Sequence, residues 1–191
     1  MKHWQLFIWT FGAPVCTQII IMVSMISNIS HESNPEPEQM YLYFKFIPII
    51  TFIFMVTFFT WFWAIAIGLQ KKVPAHIPLN TILFKILFFI VLIYSFFYMI
   101  GFLIIMSGIF QTDQPPDFSI FRSLFWIILP IHLFSVFCVI YATYLVAKTF
   151  KTAELQRAVK FTDFAGEFLM LWFFPIGIWF IQPKINKMVE E

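Results

Sequence analysis

Long apolar runs separated by short polar stretches organise this chain. Apolar segments at about 5–28, 43–69, 82–110 and 120–147 each reach the ~20 residues needed to cross ~30 Å of hydrocarbon. Runs such as ILFFIVLIYSFF show no alternation of apolar and polar positions, so they read as helices and not as barrel strands. The third run is long enough to tilt or to project from the bilayer. Between the runs lie SHESNPEPEQ (30–39), QKKVPAH (70–76) and QTDQPPD (111–117), rich in the Pro and Asn of turns. The pattern predicts an all-α membrane protein, a four-transmembrane-helix bundle with 1–191 as a single membrane domain. No internal repeat or separate soluble domain is visible.

A fifth apolar stretch, EFLMLWFFPIGIWFIQPKIN (167–186), is of a different kind. Its uninterrupted part, 168–181, spans about 21 Å as a straight helix, short of a crossing. Runs of about 10–14 residues more often mark re-entrant or interfacial segments. Pro175 removes a backbone donor in its middle. The expected arrangement is therefore a C-terminal re-entrant or interfacial broken helix over 167–183, with a short fifth crossing as the alternative. Trp172 and Trp179 suit the headgroup level. With Pro175 and Gly177 they form a candidate interface.

Composition agrees with the pattern. The chain is 61% hydrophobic and 12% charged, with 28 Phe, against roughly 45–50% and about 25% in soluble domains. The N-terminal run reads as an uncleaved first transmembrane helix and not as a signal peptide, because TQIIIMVSMI extends it. Cys16 and Cys138 both fall inside apolar runs, as small buried hydrophobes do.

The placement of charge sets the expected orientation. Lys2, Lys71, Lys72, Lys85, Lys148, Lys151, Arg157 and Lys160 fall on one side of a four-span topology, against Lys45 and Arg122 on the other. That other side carries Glu32, Glu36, Glu38, Asp113 and Asp117. The positive-inside rule places both termini in the cytoplasm. Lys184 and Lys187 join that side only if 167–183 returns.

Few residues offer chemistry. Asp163 and Glu167 share a helical face just before the last apolar run, which suggests a carboxylate pair at a cavity mouth. Helix capping and pairing with Lys151, Arg157 and Lys160 explain them more simply. His132 is the one histidine well inside a span, so it is a functional candidate by default. Hydrogen bonding to a neighbouring helix accounts for it equally, and His3, His31 and His76 lie at or beyond the membrane edges, so one chain supplies no haem pair. Gln18, near the middle of the first span, and the Tyr94, Ser95 and Tyr98 patch read as interhelical hydrogen-bonding groups. Ala64 and Gly68 form the best small-xxx-small pair. No Asp or Glu lies within the four runs, and no nucleophile elbow, phosphate loop or zinc motif occurs. No catalytic residue, metal or cofactor is expected.

Across 133–188, the segments AKTFKTAELQ, DFAGEF and WFFPIGIWFIQPKIN resemble a group of small multi-pass bacterial inner-membrane proteins. The resemblance covers less than a third of the chain. It implies a bacterial inner-membrane location and, since no activity is known for the group, no site residues. Two functions are compatible with the residues. One is a non-enzymatic accessory or scaffold subunit of a larger complex, its partners being lipid and membrane-protein subunits or a second copy, with no nucleic acid. The other is a small transporter, channel or lipid-handling protein with a cavity under the re-entrant segment.

Overall fold

The computed structural model describes residues 2–31, 37–110 and 118–190. The first rod consists of α1 (His3–Phe7), a π turn (Ile8–Gly12) and α2 (Ala13–His31). It is followed by α3 (Pro37–Gly68), a 3-10 turn (Leu69–Lys72), α4 (Thr81–Phe110), α5 (Phe118–Leu155), α6 (Phe161–Trp172) and α7 (Phe174–Glu190). No strand occurs among the described residues. Four stretches, His3–Ser30, Met40–Lys72, Thr81–Ile109 and Phe125–Leu155, are long and apolar enough to cross a membrane. The chain is an all-α, four-helix membrane protein, as its pattern of apolar runs predicts. Glu32, Glu36, Asp113 and Asp117, assigned by sequence to connecting loops, lie outside the described residues.

Local sequence explains where the helices bend and stop. Pro14 cannot donate to the carbonyl of Thr10 and would crowd it in a regular helix. The π turn just before it opens the ladder there, as π-bulges do. Asn80 caps α4, its side-chain oxygen accepting the Leu83 amide at 2.9 Å. α5 has 38 residues, about 57 Å at 1.5 Å per residue, so it is longer than a bilayer core is thick. It ends where Gln156 takes a φ of 54°, the left-handed conformation that closes many helices. The Gln156 amide side chain then donates to the Lys72 carbonyl at 2.7 Å, joining the ends of α5 and of the turn after α3.

The stretch 167–186 is broken, as expected, but Pro175 does not kink a continuous helix. The break is at Phe173 (φ −89°, ψ 59°), and Pro175 sits in the first turn of α7, where its missing N–H deprives no carbonyl of a partner. The Phe173 amide donates to Leu169 at 2.9 Å, and the Phe173 carbonyl accepts from Ile176 at 2.9 Å and Gly177 at 3.2 Å. Gly177 is buried against α6: a Cβ there would collide with the Met170 carbonyl oxygen and come within 2.8 Å of its carbon. Only glycine permits that approach.

The resulting hairpin forms part of the core. Phe174 packs on Phe54 and Phe58 of α3, each 5.1 Å between ring centres, and on Phe11 of the first rod at 6.0 Å. Farther along α7, Gln182 is joined to Trp61, and Trp179 stacks near His3 and Phe7. α7 thus runs along α3 from its middle toward the end that carries Lys71 and Lys72, here termed the basic end. The largest fully buried side chains are Phe59, Phe62, Ile65 and Leu69 of α3, Phe84 and Val91 of α4, Val146 and Phe150 of α5, and Phe164, Leu171, Ile178 and Ile181 of the hairpin. All lie in the basic half of the bundle. α2, by contrast, is exposed along most of its length. Asn28 tethers it to α3 by donating to the Tyr43 hydroxyl.

Gly177→Ala is expected to destabilise the protein by about 1–3 kcal/mol, the usual cost of overpacking. Gly166→Ala, at an exposed helical position with nothing near its Cβ, should be neutral or stabilising by up to about 1 kcal/mol. Thermal unfolding in one detergent compares the two, and equal stabilities would contradict the close approach.

Candidate functional site

Two polar constellations stand out in an otherwise apolar molecule. The first is a charge network at the basic end. Lys151 of α5 donates to Glu154 at 2.8 Å and to Glu167 of α6 at 2.7 Å. Lys184 of α7 reaches the other Glu154 oxygen at 3.0 Å. One network therefore ties α5 to both arms of the hairpin. Beside it, the Trp61 indole N–H donates to Gln182 Oε1 at 2.8 Å, and the Gln182 amide donates to Asn186 at 2.8 Å. Trp61 and Gln182 are both buried, so this bond fixes α7 on α3 where no water could replace it.

Asp163 and Glu167 do not form the carboxylate pair considered from sequence. Asp163 faces Arg157, whose guanidinium meets both carboxyl oxygens at 3.2 Å. It also accepts the Lys160 amide at 2.8 Å and so caps α6. The Arg157 guanidinium, and after it the Lys160 amide, hold the Asp163 carboxyl below the usual carboxylate range. Glu167 belongs instead to Lys151. Neither acid stands at the mouth of a cavity under the hairpin, because Phe164, Leu171, Ile178 and Ile181 fill that region and are 0–1% exposed.

The second constellation lies between α3, α4 and α5, away from the hairpin. The Tyr94 hydroxyl of α4 is 2.7 Å from Nδ1 of His132 on α5, so His132 does bond a neighbouring helix. Tyr98 lies next to both rings, 6.0 Å from Tyr94 and 6.3 Å from His132 between centres. These three side chains border a cavity of about 430 Å³. Ser95 and Ser135, small and buried, leave the room that larger side chains fill in the basic half. Among the described residues no three His, Cys, Asp or Glu side chains gather as metal ligands would.

The remaining candidates divide between surface and interior. Gln18 is exposed near the middle of the first span and bonds to no other described residue; it joins no helices among the described residues. Trp172 and Trp179 are exposed and Pro175 half-buried on the hairpin surface, whereas Gly177 is buried and offers no interface. Ala64 and Gly68 face outward, with open space beside Gly68, so the small-xxx-small pair does not pack this bundle. Cys16 is exposed and Cys138 buried; the first departs from the expectation because α2 is peripheral. The sequence reading missed the roles of Glu154, Lys184 and Gln182. The Lys151–Glu154 spacing of one helical turn and a lone Gln ending an apolar run were the available signals.

Comparison with family models, curated proteins and solved structures finds no match.

Removing the Lys151 cation leaves Glu167 unpaired in a largely buried place. Lys151→Met should cost on the order of 2 kcal/mol, between the ~0.2–1 of exposed pairs and the ~3–5 of buried ones. Adding Glu167→Gln should restore much of it. Unfolding of the single and double variants measures the coupling, and simple additivity would rule out the network.

Proposed function

We propose that the protein is a non-enzymatic accessory subunit of a larger membrane assembly, docked through its first helix. Gln18 carries this reading. Its primary amide lies near the middle of a membrane span, on a helix exposed along most of its length, with no partner among the described residues. A polar group left unsatisfied in hydrocarbon costs several kcal/mol, and a helix from another subunit is the natural source of its hydrogen bonds. Ile19, Ile20, Met22, Val23 and Ile26 around it are also exposed. They would contact lipid in the free subunit and protein in the assembly.

The proposed location is the bacterial inner membrane, on the resemblance of 133–188, with both termini cytoplasmic by the distribution of Lys and Arg. The α6–α7 hairpin is proposed to enter from the cytoplasmic side and return. The contacts of Phe174 at mid-α3 and of Gln182 nearer the basic end support that course, as does internal cover of the break. Lipid handling is a second reading, and it draws on the cavity between α3, α4 and α5.

Gentle extraction and native mass spectrometry should show the chain with a stoichiometric membrane-protein partner. Gln18→Leu should weaken that association about 3- to 30-fold, one interhelical hydrogen bond in a membrane, without lowering the subunit's own stability. A wild-type chain that is always a lone monomer would sink the proposal. For topology, Ala75→Cys and Lys187→Cys, each in a Cys16→Ala/Cys138→Ala background, should react with an impermeant maleimide from the same membrane face. Reaction of Lys187→Cys from the opposite face would mean that 167–183 crosses.

A further inference from the structure

The cavity bounded by Tyr94, Tyr98 and His132 holds more than the fold requires. It is a cleft open on one side, where Tyr98 and His132 are exposed, and its volume of about 430 Å³ lies within the ~300–1,000 Å³ of ligand sites. Most of its wall is apolar, from Ile47 and Met55 of α3 through Phe102 of α4 to Val136 and Val139 of α5. Water is a poor occupant of such a wall, and a hydrocarbon chain is a good one.

The polar edge selects the rest of the ligand. Tyr94 occupies only Nδ1 of His132, so Nε2 has no partner among the described residues, and neither does the Tyr98 hydroxyl. If Tyr94 donates to Nδ1, Nε2 carries a proton and donates; in the other tautomer it accepts. Tyr98 can do either. Together they match a head with an oxygen acceptor and a hydroxyl. Among the described residues no Lys, Arg, Asp or Glu lines the cavity, so a phosphate or carboxylate placed there would be an unpaired charge out of water, which is strongly disfavoured. A neutral head suffers no such penalty.

We propose that this cavity binds an ester-linked acyl chain, with the neutral glycerol-ester region hydrogen-bonded by Tyr98 and His132 Nε2. The site does not depend on a partner at Gln18. The same chemistry could come from a free monoacylglycerol or from one chain of a bilayer phospholipid, whose phosphate would then lie beyond the lining.

Full-length protein in detergent is titrated with monooleoylglycerol, and occupancy is read by native mass spectrometry. Oleoyl lysophosphatidate, with the same chain and a charged head, is the control, and phosphatidylglycerol in nanodiscs is the second arm. Monooleoylglycerol should bind at least about 10-fold more tightly than the lysophosphatidate. Tyr98→Phe should weaken it about 3- to 10-fold, the size of one hydrogen bond. Ser135→Phe should fill the cavity and abolish binding. Phosphatidylglycerol retention that is lost in Tyr98→Phe would support the site and name the bilayer as the source. Equal binding of the charged analogue, or monooleoylglycerol binding unchanged in Tyr98→Phe, would overturn the proposal whether or not Ser135→Phe folds.

Discussion

A helix cannot stop inside hydrocarbon unless its freed backbone groups find partners within the protein. The break at Phe173 satisfies several such groups within the protein over a few residues. Its amide reaches back to Leu169, its carbonyl serves both Ile176 and Gly177, and Pro175 has no amide to satisfy. The absence of a side chain at Gly177 then lets the second arm close on the Met170 carbonyl. With that turn formed, Phe174 can reach Phe54 and Phe58, and Gln182 can reach Trp61. The basic half of the bundle is assembled around those contacts.

The consequence is an uneven molecule. In lipid, apolar side chains gain little by leaving their surroundings, so helix association rests on packing and hydrogen bonds. The basic half has both: interlocked Phe and Ile side chains, the Lys151 network and the buried indole–amide bond. The other half has fewer large side chains in its interior, and Ser95, Ser135 and Cys138 occupy positions where α4 and α5 meet neighbours. A cavity between α3, α4 and α5 follows from that difference in side-chain volume. The peripheral first rod follows from a related one, since its contacts with the hairpin come from its aromatic first turns (Phe7 and Phe11) and α2 beyond them packs mainly on α3.

What could be read from sequence was what a single helix encodes. Span number and rough boundaries come from run length alone. The break in 167–186 was legible because Pro and Gly act locally, although their division of labour was not: Pro175 begins an arm and Gly177 permits contact between arms. Asp163 as a cap was legible from its place before the apolar run. What depends on which helix faces which was not. Tyr94 meets His132 from a different span, Gln182 finds Trp61 far away in the chain, and only the fold says which of the cations offered as partners goes to Glu167. The same limit misplaced the cavity, which the alternative functional reading put under the re-entrant segment. Ala64 and Gly68 had the right spacing for close packing, but spacing does not say on which side of the helix a neighbour stands.

The polar groups within the spans separate into two sets by what they do with their hydrogen bonds. Thr10, Thr51, Thr57, Thr60, Ser95, Thr143 and Thr149 return theirs to carbonyls one turn back in their own helices, and Trp61 and Gln182 satisfy each other. These cost little in lipid and need no outside partner. Gln18, the Tyr98 hydroxyl and the second nitrogen of His132 do not follow that pattern. In a chain where so many side chains are plain hydrocarbon, these few keep strong hydrogen-bonding atoms open toward a helix face and toward a cavity.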